Sequence, residues 1–147
     1  MKIMASISGY SGASVTLLAY LDPSNGVLGI AKKVTFREKA DPGYAFVTNT
    51  RTESYDCLFT EDHWALAIRD FQVAEGNETL KLSDSAAQYR PRIETDGVDE
   101  KGQKYRLHSD LTNGELAVLA LVHFQQRQLA ITTTDSAIDE WFELMMI

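Results

Sequence analysis

Three kinds of side chain in this sequence could carry chemistry: a lone thiol, three imidazoles and a short run of carboxylates. A nucleophilic thiol needs a base beside it and a third group to orient that base. Cys57, the only cysteine, instead lies in a strand-like segment with Leu58 and Phe59, where a free thiol behaves as a small buried hydrophobe. His63, His108 and His123 have no second His or Cys at metal-ligand spacing. His63 and His108 are expected at the surface or at a helix cap. His123 is expected at the wet end of an apolar helix, where an imidazolium would suit the C-terminal dipole.

The carboxylates Glu94, Asp96, Asp99 and Glu100 fall close together. Hard cations such as calcium want several oxygens, but the alternating ligand scheme and its closing acid are both missing here. The cluster is therefore expected at a solvated hairpin tip, free to meet a partner. Gly9-Tyr10-Ser11-Gly12 lacks the Gly-Lys-Ser/Thr that completes a phosphate loop, and a strand rather than a helix follows. No spacing in the chain points to a catalytic site, a metal or a cofactor, and the balance leans away from an enzyme.

One basic stretch offers an alternative. Lys32, Lys33, Arg37 and Lys39 surround Phe36, with Tyr44 and Phe46 soon after, a composition that suits single strands stacking on aromatics in a basic groove. Strand alternation divides it, however. Lys33, Arg37 and Lys39 share one face, and Lys32, Val34 and Phe36 share the other. Lysines at solvated strand edges, which discourage aggregation, account for the same pattern.

Charge sharpens the choice. The net formal charge is −7 over 147 residues, which opposes adhesion to nucleic acid and to anionic lipid. Residues 1–40 hold five basic and two acidic side chains, a net of +3, while residues 41–147 hold nine and nineteen, a net of −10. The acidity thus belongs to the later part of the chain. The longest strongly apolar run, Leu116 to Val122, falls far short of the roughly 20 residues of a membrane helix. Ser6, Ser8 and Ser11 interrupt any signal-like apolar stretch at the start. A cytoplasmic location, in a cell or a host cell, is the expectation.

The elements that must position these groups read as strands first and helices later. Ile3, Ala5 and Ile7 alternate with Lys2, Met4 and Ser6, the period of a strand. Ser14 to Leu21 and Val27 to Arg37 flank Asp22-Pro23-Ser24-Asn25-Gly26, whose proline and Asn-Gly pair predict a hairpin. Tyr44 to Thr50 and Ser54 to Phe59 predict two further strands. After Thr60, the residues Trp64, Ala67, Ile68 and Phe71 fall at helical spacing, although local alternation would also permit a strand over 60–74. Thr79 to Leu82 predicts a short strand and Asp84 to Tyr89 a helical turn. Arg92 to Thr95 and Lys104 to His108 predict a hairpin around a loop from Asp96 to Gln103. Thr112-Asn113-Gly114-Glu115 has capping-box spacing before a helix to Leu129, apolar nearly all round and so expected to be central. A last helix would present Ile138, Trp141, Phe142 and Met145 on one side.

The expected fold is one α+β domain over residues 1–147. A mainly antiparallel, meander-like sheet from the N-terminal half packs against two C-terminal helices. The expected function is protein binding through an acidic surface: an inhibitor or immunity-type module opposing a basic enzyme or a nucleic-acid-binding complex. Its contact residues would be Glu94, Asp96, Asp99 and Glu100. The alternatives are a single-stranded nucleic-acid accessory domain using Lys32, Lys33 and Arg37, and an enzyme whose site assembles from distant residues. The apolar end Met145–Ile147 would dock into the protein's own core or form a homodimer interface.

Overall fold

Turn chemistry organises the first three strands. In the computed structural model, which describes residues 1–9, 13–22, 24–36, 41–51 and 54–128, strand β1 (Lys2–Ile7) pairs antiparallel with β2 (Val15–Asp22), and β2 with β3 (Val27–Val34). At the β2–β3 turn, Asp22 Oδ1 accepts the Ser24 amide at 3.0 Å and its hydroxyl at 2.6 Å. Asn25 Oδ1 accepts the Val27 amide at 3.0 Å. Gly26 takes φ +73°, and a Cβ there would sit 2.1 Å from the Thr79 carbonyl oxygen. Only glycine fits that position.

The fold is α+β, as expected, but its sheet is mixed. Strand β4 (Ala45–Thr48) lies parallel beside β1, β5 (Cys57–Leu58) parallel beside β4, and β6 (Lys81–Leu82) parallel beside β3, giving the order β5-β4-β1-β2-β3-β6. The meander stops at β3. Tight turns join only antiparallel neighbours, so each later strand that adds in parallel must arrive through a longer return of the chain. Helix α1 makes one such return, between β5 and β6.

This topology places β1 inside the sheet and buries both of its faces. Ile3, Ala5 and Ile7 join β2's Val15, Leu17, Ala19 and Leu21 in the main core. On the other face Ser6, Thr16 and Thr48 are as fully enclosed as the aliphatics. Their hydroxyls are satisfied: Thr16 donates to the Phe36 carbonyl at 2.8 Å, so the 3.0 Å contact between Ser6 and Thr16 is a donation from Ser6. Enclosed hydroxyls with partners avoid the penalty of a buried unmatched polar group.

Residues 60–74 form helix. Glu61–His63 make one 3₁₀ turn that runs into α1 (Trp64–Gly76), and Ala67, Ile68, Phe71 and Ala74 are the buried stripe. A four-residue turn, α2 (Asp84–Ala87), packs on β3. Strands β7 (Ile93–Asp99) and β8 (Gly102–Leu107) form a separate two-stranded sheet. They continue well past the expected loop boundaries and turn at Glu100–Lys101, helped by Gly97 at φ +108° and Gly102 at φ +122°.

Helix α3 begins at residue 113 and reaches the last described residue, 128. Every residue from Asn113 to Gln125 is buried, as a helix apolar all round requires. Its capping box forms as the spacing predicts: the Glu115 amide donates to Thr112 Oγ1, and the Thr112 amide to Glu115 Oε1, each at 3.2 Å. Leu116 to Val122 and Phe124 belong to the same core as β1, β2 and α1. The expected final helix and the apolar end Met145–Ile147 lie outside the described residues. Among the described residues no helix is long and apolar enough to cross a membrane.

Candidate functional site

The four acids singled out by the sequence all fall on the β7–β8 arm. Its base is held rigidly. Arg92, one residue before β7, donates from Nη2 to Glu115 Oε1 at 2.8 Å and from Nε to both carboxylate oxygens, while its backbone amide bonds Glu115 Oε2 at 3.1 Å. Arg92 Nη2 also reaches the Asp110 carbonyl at 2.8 Å. Burial by itself would raise the Glu115 carboxyl. The Arg92 guanidinium and the Arg92 and Thr112 amides outweigh it, and the net is a lowered pKa. One carboxylate thus caps α3 and anchors the arm. Further along, β8 packs against α1.

Above that anchor the acids divide into two groups. Glu94 faces Arg106 across the strands at 3.5 Å and takes His108 Nε2 at 3.1 Å. Asp96 lies 3.4 Å from the same Arg106 guanidinium. Both are therefore partly neutralised within the arm. Asp99 closes β7 opposite Gly102, and Glu100 occupies the exposed turn beside Lys101. Between them and Asp96 stands Val98, 79% exposed, with Tyr105 also exposed on β8. The distal arm is thus an apolar residue set among acids. The sequence shows the acids as one cluster on a hairpin, but not the internal claim of Arg106 on Glu94 and Asp96, which cross-strand register decides.

The basic stretch divides as its alternation implies. Lys32 pairs with Leu18 and Lys33 with Leu17, on opposite faces of the sheet. Lys33 places its ammonium 5.1 Å from the Tyr89 ring centroid, a cation–π contact within the fold. Arg37 lies outside the described residues. Lys32 and Lys33 therefore do not share one surface.

Two imidazoles fall where expected, His63 at a helix cap and His108 partly exposed, and His123 does not. His63 closes the start of α1: the Thr60 amide donates to its Nδ1 at 2.9 Å. The neutral ring therefore carries its hydrogen on Nε2. His108 likewise accepts the Asp110 amide at Nδ1, 3.0 Å away. His123 is not at a wet helix end. It is 2% exposed, and its ring centroid lies 5.2 Å from Phe59 and 5.3 Å from His63. Its Nδ1 has no hydrogen-bond partner. Burial, with smaller effects of Arg127 and His63, pushes its pKa down to about 4. The imidazolium expected there is replaced by a neutral ring, because the neighbouring elements enclose the residue that helical position alone would leave wet.

Phe59, His63 and His123 thus form a cluster of rings, Phe59 stacked on His63 and His123 tilted against both, that joins the start of α1 to α3. Cys57, half-buried in β5, has its thiol pushed up, first by burial, with Arg127 opposing and Asp56 adding. A thiol held protonated and an enclosed imidazole are poor nucleophile and base. Among the described residues, no three His, Cys, Asp or Glu side chains are placed to hold a metal ion. No protein-family model, curated protein or solved structure matches this chain.

Proposed function

We propose that this protein is a protein-binding module, of the inhibitor or immunity type, whose β7–β8 arm engages a partner with a basic surface. The observation that carries the reading is the arm itself. It is a two-stranded sheet of its own, exposed at nearly every position from Thr95 to Arg106, and no third strand flanks it among the described residues. A ribbon with open backbone edges is a natural docking element. Val98 supplies a small apolar contact, and Asp96, Asp99 and Glu100 supply charge that would steer a cationic partner. Glu94, tied to Arg106 and His108, serves the arm's stiffness more than its contacts.

The test is a triple exchange to amides, D96N/D99N/E100Q, with Val98→Ser as a second variant. The parent chain should capture a partner from its source cell that the triple variant captures weakly. Association of that partner should slow about tenfold or more as salt rises from about 50 to 300 mM, because steering is screened within a Debye length of about 10 Å at 0.1 M. Both variants should melt within about 2 °C of the parent, since exposed changes of this kind alter stability by about 0.5 kcal/mol or less. Equal capture by parent and triple variant, or association indifferent to salt, refutes the acidic arm as the contact.

A further inference from the structure

A second surface emerges only from the strand register. Tyr20 on β2 points away from the main core, since its neighbours Ala19 and Leu21 are buried in that core on the opposite face. Across the β2–β3 ladder it pairs with Gly29. A Cβ built on Gly29 would fall 2.2 Å from Tyr20 Cζ and 2.3 Å from its hydroxyl oxygen. The ring therefore reclines across β3 in the space that the glycine leaves, and does not stand up from the sheet. It remains 46% exposed. A glycine inside a strand weakens it, and a close approach by another group is a recognised reason for one.

Three lysines stand on the same face as this reclining ring. Lys2 of β1 pairs directly with Tyr20, and its ammonium lies 5.8 Å from the centroid of Tyr44, just before β4. Lys32 of β3 pairs with Leu18, two residues along β2 from Tyr20. Lys81 of β6 pairs with Val27, which lies on the Gly29 side of the same face. All three lysines are exposed. Successive same-face positions are about 7 Å apart along a strand and neighbouring strands about 5 Å apart, so Lys32 and Lys81 stand within side-chain reach of the ring over Gly29, while the Lys2 ammonium rests by Tyr44 on the other side of β1. Among the described positions of these strands Asp22 is the carboxylate on this face, and its Oδ1 accepts the Ser24 amide and hydroxyl. In a chain of net charge −7, this is a local cationic patch with an aromatic floor.

We propose that the exposed end of this face, from Lys2 through Tyr20 and Lys32 to Lys81, binds single-stranded nucleic acid, with Tyr20 as the stacking platform for a base and the three lysines as phosphate contacts. The pairing of features selects this ligand. Cations alone would attract any anion, and an exposed tyrosine alone would suit many contacts. A reclining ring with an exposed lysine to either side of it along the sheet matches a planar base flanked by phosphates. The set differs from the basic stretch legible in the sequence, because it draws one residue from each of four strands. It stands independently of the acidic arm.

The test is titration of the full chain with a labelled oligothymidylate of about 12 nucleotides at about 20 mM salt, followed by fluorescence anisotropy. Saturable binding is expected. Tyr20→Ala should weaken it about tenfold or more, and Tyr20→Phe should stay within about twofold, because stacking needs the ring and not the hydroxyl. The triple variant K2Q/K32Q/K81Q should lower the slope of log affinity against log salt by about two. Circular dichroism melts of each variant confirm that it is folded. Three results overturn the proposal: no binding by the parent at that salt, undiminished binding by a folded Tyr20→Ala, or equal affinity for an abasic strand of the same length. The second and third would reduce the face to general charge attraction. The first would leave it to some other class of partner.

Discussion

The enclosed imidazole of His123 makes this protein's stability depend on pH in a way that one substitution can isolate. The ring is 2% exposed, sits between Phe59 and His63, and has its pKa pushed from 6.5 to about 4, chiefly by burial. Above pH 6.5 the ring is neutral whether the chain is folded or unfolded, so it contributes no pH dependence there. As pH falls from 6.5 toward 4, the unfolded chain takes up a proton that the folded chain refuses, and the folded state loses ground. At 1.36 kcal/mol per pH unit, the loss reaches about 2.5 kcal/mol by pH 4.5 and about 3 kcal/mol below pH 4. Urea unfolding of the parent and of His123→Phe, followed by tryptophan fluorescence from pH 7.5 to 4.5, measures it. The variant keeps a ring in the cluster and removes the proton site. Carboxylates titrating in the same range act on both proteins and cancel in the difference. The parent's stability relative to the variant should therefore fall by about 2.5 kcal/mol between pH 7.5 and 4.5. Parallel curves, or an NMR titration placing the His123 ring near its ordinary value, would refute the reasoning.

Two further substitutions test the scaffold. Glu115→Ala removes the α3 cap and the arm's anchor together, and should cost about 2–3 kcal/mol in urea unfolding, toward the lower part of the range because the orphaned Arg92 is half exposed. In the parent the lowered Glu115 carboxyl keeps its contribution above the ordinary glutamate range and loses it as pH falls through the folded value. The alanine variant should lack that acid-side loss, and an unchanged acid limb would count against the anchor. Gly26→Ala combines φ +73° with a Cβ 2.1 Å from the Thr79 carbonyl, and should lower stability by about 2 kcal/mol or more. Gly97→Ala shares the positive φ but meets open space, so its urea midpoint should fall less. Equal losses at the two glycines would show that steric contact with Thr79 plays no part.

Features governed by local sequence were legible. Asn25-Gly26 specifies the β2–β3 turn, Thr112 and Glu115 the start of α3, and the apolar run Leu116–Val122 its burial, each through interactions spanning only a few residues. The stripe Ala67, Ile68 and Phe71 permits α1, but alternation nearby permits a strand as well, and only the folded chain decides for the helix. The acids of the arm were legible as a cluster, but not the share that Arg106 claims from Glu94 and Asp96. Register had the last word there.

What the sequence determined by itself is therefore most of the described strands and the start of α3, the α+β class, and the uneven charge, acidic after residue 40 and mildly basic before it. Tertiary structure alone decided the parallel placement of β4 and β6, the enclosure of both faces of β1, the neutral state of His123, and the meeting of Lys2, Tyr20, Lys32 and Lys81. The reason is physical. Turns, caps and helical stripes are specified by neighbours in the chain, whereas strand order, burial and field at a side chain are set by residues distant in sequence that arrive only when the chain has folded.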